Sequence, residues 1–290
     1  MLNKSFSKQL IDQWTNNGWV IIKKAISEQL INSLLDDLYE FRNKCNETKD
    51  EYGFGKRICQ FHLANRNSLQ VALNPKIQDF MSYIFSSQPV LFGSLSFEVG
   101  TEESAHRDNI FSYTRPKDSM VGIWVALEDV SPDAGPLFYY DSSHKWPEIS
   151  AGNILRRYPE MNPTRERIRL GEVNESERVD FINLMEARWQ ELLEEKIALL
   201  GAKPKLVLIG KGDVIMWHGL LVHGGLSRLN RSLTRNSMAA HFISKNCSFY
   251  DENQYFLMNQ SEFSSTGNIP FTLTNSEFGI YCQHEQTVIY

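Results

Sequence analysis

The sequence predicts a mainly β fold with flanking helices, an α+β chain whose core is a sandwich or barrel of short strands. Three observations predict it. From residue 89 onward, apolar runs at 90–99, 120–127, 136–140, 205–209, 213–217 and 235–243 alternate with Gly, Pro and Asp turns. Before residue 89 the apolar spacing is mostly helical. One long polar break, 148–204, interrupts the strands and ends in a helical pattern. The 290 residues are read as a single domain, 1–290, with a helical insertion at about 148–204.

Residues 6–17 read as a short helix stopped by the turn Asn16-Asn17-Gly18, and Trp19-Val20-Ile21-Ile22 as a buried strand. Ser27 is a suitable N-cap for the next helix, with Ile26 positioned to staple onto Ile31. Leu30, Leu34, Leu38 and Phe41 share one face of that helix, which implies packing on a sheet. Residues 57–63 read as a strand. Asn74 caps a further helix, with Pro75 at its first position, running to about Phe85. Gly210-Lys211-Gly212-Asp213 is a tight turn leading into the strand at 213–217.

Within the insertion, Asn174 and Glu177 form a capping-box pattern for a helix at 175–200, which Gly201 ends. Val179, Ile182, Met185, Trp189, Leu192 and Ile197 make its apolar stripe. Two readings stay open: a helix packed outside the sheet, or a lid over a site. The tail from Asn246 reads as loops wrapping the barrel.

Composition excludes several classes of function. The balance of 42% hydrophobic and 22% charged residues is that of an ordinary soluble chain. No run of about 18 apolar residues occurs, so no membrane partner is expected. Met1-Leu2-Asn3-Lys4-Ser5-Phe6 lacks the apolar core of a secretory signal. A net charge of −5 argues against nucleic acid. Cys45, Cys59, Cys247 and Cys282 are scattered, without a CxxC pair, and read as reduced thiols of a cytoplasmic protein.

The chemistry-bearing stretch is Ser104-Ala105-His106-Arg107-Asp108-Asn109. If it is a strand, His106 and Asp108 share one face and can occupy adjacent positions on a metal ion. A His-x-Asp triplet alone is more readily a surface histidine beside a solvated aspartate. A third ligand would come from Trp217-His218-Gly219-Leu220-Leu221-Val222-His223-Gly224-Gly225. His218 and His223 are oddly spaced, so on one regular strand they face opposite ways and only one can serve. Two His and one carboxylate leave other metal positions open, which suits non-haem Fe(II) oxygenases. Arg235 and Ser237, on one face of the last strand, form a fork suited to a carboxylate. An inward Arg there is costly unless an anion meets it.

Together these residues resemble the phytanoyl-CoA dioxygenase family of Fe(II)/2-oxoglutarate oxygenases. The resemblance is carried by His106-Arg107-Asp108, by Gly122-Ile123-Trp124-Val125-Ala126-Leu127-Glu128-Asp129-Val130, and by Gly135-Pro136-Leu137 with Ser143-His144-Lys145. Gly212-Asp213, His223, Arg235-Asn236-Ser237 and the opening Asn17-Gly18-Trp19-Val20-Ile21 complete it. It implies a double-stranded β-helix (jelly roll, cupin-like) core, with His106, Asp108 and His223 binding Fe(II). It implies further that Arg235, with Ser237, holds the distal carboxylate of the co-substrate 2-oxoglutarate, and that O2 is the oxidant. The family spacing selects His223, twelve residues before Arg235, over His218, seventeen before it. His218 and His144 are then structural or supporting groups, and His241 shares the Arg235 face.

The family usually has Pro-Gly before Ser-His, where this chain has Tyr140-Asp141-Ser142-Ser143-His144. Related halogenases carry Gly or Ala at the Asp108 position, so the carboxylate here implies hydroxylation of a small molecule, with release of succinate and CO2. The same centre would also support desaturation, epoxidation or cyclisation. A reading from another class is a jelly-roll binding protein or metal-dependent isomerase. Candidates to line a substrate site are Arg57, Gln60, His62, Tyr113, Arg115 and Tyr139. The substrate itself and the oligomeric state are not legible.

Overall fold

The computed structural model describes residues 6–44, 57–264 and 267–283. Helix α1 (Lys8–Asn17) starts at Ser7, whose hydroxyl accepts the Leu10 N–H, and stops at Gly18 in the left-handed region (φ 80°). Strand β1 (Trp19–Ile22) follows, then α2 (Glu28–Lys44), capped by Ser27. After β2 (Arg57–Cys59) come the short α3 (Arg66–Ala72) and α4 (Pro75–Phe85), the latter with Asn74 as cap and Pro at its start. The expected strand at 57–63 is cut short, because Gln60 turns into left-handed backbone (φ 56°) and Phe61–Leu63 coil into a 3-10 turn.

The β region comprises β3 (Pro89–Phe97), β4 (Ser112–Arg115), β5 (Met120–Ala126) and β6 (Leu137–Tyr139). The insertion follows as α5 (Ala151–Arg157), α6 (Asn162–Arg169) and α7 (Glu175–Leu200). Then come β7 (Lys205–Leu206), β8 (Val214–His218), β9 (His223–Gly225), β10 (Ser237–Ser244) and β11 (Ser248–Asp251). Helix α8 (Glu252–Leu257), β12 (Thr272–Asn275) and β13 (Ile280–Gln283) finish the described chain. The region beyond Asn246, expected as loops, therefore holds regular elements. Of the described residues, 42% are helical and 23% lie in strands, so the flanking helices outweigh the β core they enclose.

The major sheet runs β1-β8-β5-β10-β3-β13-β12, with β2 also paired to β3. A minor sheet, β7-β6-β9, faces it, the two-sheet arrangement of a jelly roll. The central strands β5, β8 and β10 of the major sheet are buried on both faces. In β5 every residue is buried, which explains why its sequence shows no polar alternation. Val121, Ile123 and Val125 meet the helical layer of α1–α4, with Leu34, Leu38, Ile77 and Phe80. Trp124 and Ala126 point the other way, into the space between the sheets, with Ile215, Trp217, Leu137 and Tyr139. That inter-sheet space is where a site can form.

The insertion builds its own core. The capping box of α7 is present as expected, with Asn174 Oδ1 accepting the Glu177 N–H at 2.9 Å and Gly201 at its end. Its buried residues are Phe181, Ile182, Met185, Trp189 and Leu193, whereas Val179, expected in the stripe, is exposed. The shift reflects the partners: α7 packs on α5, α6 and α8 together with Ile110, Tyr113 and Val222, not on a flat sheet. Cys45 and the first five residues, read above for redox state and signal character, lie outside the described residues. Among the described residues no helix is long and apolar enough to cross a membrane.

Candidate active site

His223 opens β9, and His106 pairs with it in an isolated antiparallel bridge. The His106 N–H donates to the His223 carbonyl at 2.8 Å and the His223 N–H to the His106 carbonyl at 3.0 Å. Their rings stand 4.4 Å apart, centre to centre. Asp108 is not on a strand, contrary to expectation. It opens a 3-10 turn, Asp108–Ile110, that diverts the chain toward β4 and sends Ile110 into the insertion core. The carboxylate still converges: its Oδ1 lies 3.7 Å from His106 Nε2 and 3.5 Å from His223 Nε2. One ligand atom from each of His106, Asp108 and His223 falls within 4.8 Å of the others.

The imidazoles are oriented for coordination. His106 Nδ1 is 2.9 Å from the Ser104 carbonyl and His223 Nδ1 is 3.0 Å from the Leu221 carbonyl. A carbonyl only accepts, so each Nδ1 carries the proton and each Nε2 turns a lone pair toward the other ligands. Burial lowers the His223 pKa and keeps that ring neutral, the form that binds metal. Burial of Asp108 opposes ionisation, but a proton on any of the surrounding His223, His241 or His106 rings, together with the Trp217 indole N–H, outweighs it and holds the carboxyl below its ordinary range. Trp217 Nε1–H donates to Asp108 Oδ2 at 2.7 Å.

His218 and His223, taken above as one strand, lie on two strands of different sheets, separated by a turn closed by Leu221 N–H to the His218 carbonyl. His218 faces away from the cluster. Its Nδ1 accepts the Leu220 N–H at 3.0 Å, and its ring lies 5.4 Å from that of His144 and 6.0 Å from that of Trp14. His144 in turn fills the space over Gly18, where a Cβ would come within 2.4 Å of its Nδ1.

Arg235, expected on the last strand, lies two residues before β10 and is 3% exposed. Its Nη1 donates to the Gly135 carbonyl at 2.6 Å and its guanidinium lies 5.5 Å from the centre of the Trp124 ring. Its Nε has no partner, and it makes no ion pair among the described residues. Burial pulls its pKa down to about 10. The Ser237 hydroxyl donates to the Arg235 carbonyl at 3.1 Å and does not line the cavity.

His106, Asp108, His223 and Arg235 line one cavity of about 170 Å³. Leu95, Phe97, Trp124, Leu137 and Ala239 supply apolar wall, and Trp217, Phe111, Thr101, Glu103 and His241 also border it. His241 Nε2 lies 3.7 Å from Asp108 Oδ1, so this histidine borders the site. Trp217, Trp124 and Phe111 are not singled out by the sequence, where each reads as core. The candidate substrate residues fall elsewhere. His62 Nδ1 is 2.6 Å from the Ser94 hydroxyl, Gln60 Oε1 accepts the Ser94 N–H, and Arg57 sits on β2 beside Phe97. Tyr139 stacks on Trp19, and Tyr113 is buried against Tyr255 with Arg115 over its ring. At the turn where the family has Pro-Gly, Ser142 takes left-handed backbone (φ 62°). Asp141 there accepts from Asn17, Trp19 and Lys205.

The two-sheet β-helix thus encloses a His-Asp-His cluster and a buried arginine in one cavity. Residues 14–236 match the family model described as phytanoyl-CoA dioxygenase, and the chain belongs to that family. Phytanoyl-CoA dioxygenase domain-containing protein 1 of Danio rerio is 33% identical over 79 residues, 26% of this chain and 27% of that protein. Its homolog from Caenorhabditis briggsae is 24% identical over 189 residues, 63% of this chain and 57% of that protein. The matches thus span little more than half the length of these relatives, or less. Among solved structures, the non-heme alpha ketoglutarate dependent carbocyclase SnoK from nogalamycin biosynthesis superposes with TM-score 0.62 at 14% identity, covering 95% of this chain and 96% of that one. EctD from S. alaskensis with bound Fe gives 0.59 at 12% identity, covering 90% and 86%. HygX from Streptomyces hygroscopicus, with nickel and 2-oxoglutarate bound, gives 0.56 at 15% identity, covering 83% and 88%. At such identities the likeness is one of fold.

Proposed function

We propose that this chain is an Fe(II)/2-oxoglutarate-dependent oxygenase that hydroxylates an aliphatic C–H bond of a small molecule. The observation that carries the reading is a single cavity holding both a convergent His106, Asp108 and His223 cluster and a buried Arg235 with no carboxylate partner among the described residues. The donor set fits Fe(II): two neutral imidazoles and one carboxylate, with room beside them. When bound, Fe(II) with 2-oxoglutarate supplies the O2-dependent oxidation. One oxygen atom of O2 goes to the hydroxylated product and the other to succinate, with CO2 released.

The protein's own part is binding, orientation and exclusion of water. His106 Nε2, Asp108 Oδ1 and His223 Nε2 hold the metal. Arg235 binds the 2-oxoglutarate carboxylate remote from it, over the Trp124 face, and Ser237 fixes the backbone that presents Arg235. Leu95, Phe97 and Leu137 keep the cavity dry, which strengthens every charge interaction inside it. Asp108 supports hydroxylation over halogenation, because the position is filled by a carboxylate. Desaturation, epoxidation and cyclisation would use the same residues and differ only in product.

The test is a screen for succinate release by the iron-loaded protein against small metabolites, with mass spectrometry of the products. The expected product carries one added oxygen, and His106→Ala, Asp108→Ala and His223→Ala abolish turnover and weaken metal binding, while His218→Ala keeps the metal. Metal retained in His223→Ala and lost in His218→Ala would refute the ligand set. Metal binding without any consumption of 2-oxoglutarate would point instead to a binding protein or isomerase.

A further inference from the structure

We infer that Trp217 is a positioning residue that commits Asp108 to the metal through one oxygen, and that Gly122 is the residue that admits it. The inference rests on the metal-centre reading above. Asp108 has two carboxylate oxygens in one buried place. Oδ1 faces both histidine Nε2 atoms at 3.5 and 3.7 Å. Oδ2 accepts the Trp217 indole N–H at 2.7 Å. An indole N–H is a donor only and cannot turn its polarity round. With Oδ2 engaged, the carboxylate offers the metal Oδ1 alone. Left free at both oxygens it could rotate or bind through both, and so take a position needed by a co-substrate.

The arrangement spans the two sheets. Trp217 comes from β8 of the major sheet, whereas His223 opens β9 of the minor sheet and His106 is bridged to it. The indole thus ties the ligand-bearing layer to the opposite wall of the β-helix. It also lies 4.8 Å from the His223 ring, tilted by 47°, and limits that ring's movement.

The cross-strand neighbour of Trp217 on β5 is Gly122. A Cβ at that position would sit 2.3 Å from the indole Cε2 and 2.5 Å from Cζ2 and Nε1. Real Cβ atoms do not approach so closely, so the indole lies over bare backbone. The requirement is for space, since Gly122 is absent from the glycines in left-handed backbone. Any side chain there would push the donor atom itself away from Asp108. This explains a glycine in the middle of a central strand, where glycine otherwise weakens a sheet.

The experiment uses the full chain and cobalt(II) as probe, with affinity and the d–d absorption spectrum as readouts. Trp217→Phe keeps an aromatic ring and removes the donor. Gly122→Ala keeps the tryptophan and displaces it. Partners one step out from a metal ligand commonly change metal affinity by about 10–100-fold. Both variants should weaken Co(II) binding by about tenfold or more and shift the spectrum, with the metal-free fold verified by near-ultraviolet circular dichroism. A loss under about fivefold in folded Trp217→Phe, with an unchanged spectrum, overturns the inference. Should either variant not fold, indole-15N NMR of the wild type decides. The indole N–H signal perturbed in Asp108→Ala should be the one that moves when Zn(II) is added, and a signal indifferent to Zn(II) overturns the inference. If wild-type protein binds no Co(II), or His106→Ala binds it as well as wild type, the metal-centre reading fails and this inference with it. If His106→Ala abolishes binding while folded Trp217→Phe weakens it by less than about fivefold with an unchanged spectrum, this inference alone fails.

Discussion

At the scale of single residues, Arg235 is the most exposed to test. Its guanidinium is buried, bonds one backbone carbonyl and leaves Nε unpaired, a state that is costly in a closed protein and sensible in one awaiting an anion. Removing one partner of a buried charge pair costs about 3–5 kcal/mol, roughly two to three and a half decades of affinity. Arg235→Gln should therefore raise the KM for 2-oxoglutarate by at least a hundredfold with metal affinity little changed, and Arg235→Lys should recover part of it, because an ammonium lacks the planar fork. A 2-oxoglutarate titration of succinate release at saturating iron measures this, and a KM within about threefold of wild type would make Arg235 a structural arginine. His106, Asp108 and the open choice between His218 and His223 were legible from residue type and spacing, whereas His223 itself and the role proposed for Arg235 came only through the family resemblance. Trp217 was legible by neither route. A tryptophan in an apolar strand reads as packing, and only the structure shows its N–H directed at Asp108. Ser237 was legible as a neighbour of Arg235, but its hydroxyl turns back onto the Arg235 carbonyl.

At the scale of elements, the long helix α7 was legible almost to the residue, since its capping box and terminal glycine are local signals. What it packs against was not, because the partner surface comes from α5, α6, α8 and the segment after Asp108, far apart in sequence. The structure bears on the two readings of the insertion. No residue of α5, α6 or α7 lines the metal cavity. The root of the insertion instead grips the ligand segment: Arg107, between two ligands, donates to the carbonyls of Ser143 at 2.7 Å and Trp146 at 3.3 Å. We therefore expect limited proteolysis within residues 156–172 to proceed at the same rate with and without metal and 2-oxoglutarate. Marked protection by the two together would restore the lid. The misread strand at Asp108 has the same origin, for the 3-10 turn there is set by Ile110 entering a core whose other members lie in the insertion.

At the scale of the whole molecule, a sandwich or barrel was legible from short strands and turns and the double-stranded β-helix only through the family resemblance, because the strands buried on both faces carried no alternation to mark inside from outside. The acid side of stability is a property of the entire fold, and His218 supplies one proton of it. Burial pushes its pKa down to about 3, and protonating Nδ1 would also break the bond from Leu220 N–H. In the unfolded chain the same imidazole titrates near 6.5. Between those values the unfolded chain binds a proton that the native chain does not, so stability is complete above about pH 6.5 and falls as pH drops toward 3. One such group contributes about 1.4 kcal/mol per pH unit within that window. His218→Asn, whose carbonyl can still accept from Leu220, should lessen the decline between pH 6 and 5, leaving the shares of His223 and His144, whose pKa values burial also lowers, and of Glu252, whose pKa burial raises to about 7. Urea unfolding at a series of pH values measures the slope, and an unchanged slope in His218→Asn would show that the proton is taken up elsewhere.

The reciprocal bridge between His106 and His223 bears on how an ion would be received. These residues are 117 positions apart, and joining them closes a loop that takes in the entire insertion. The entropy of that closure grows only slowly with loop length, but it is substantial, and folding meets it once, through two backbone hydrogen bonds. An arriving ion therefore finds two of its donors already joined, and almost none of its binding energy goes into ordering chain. Loss of the ion would leave the frame standing, so depletion and reloading become a reversible exchange on a finished scaffold, unlike small zinc domains that unravel when the metal leaves.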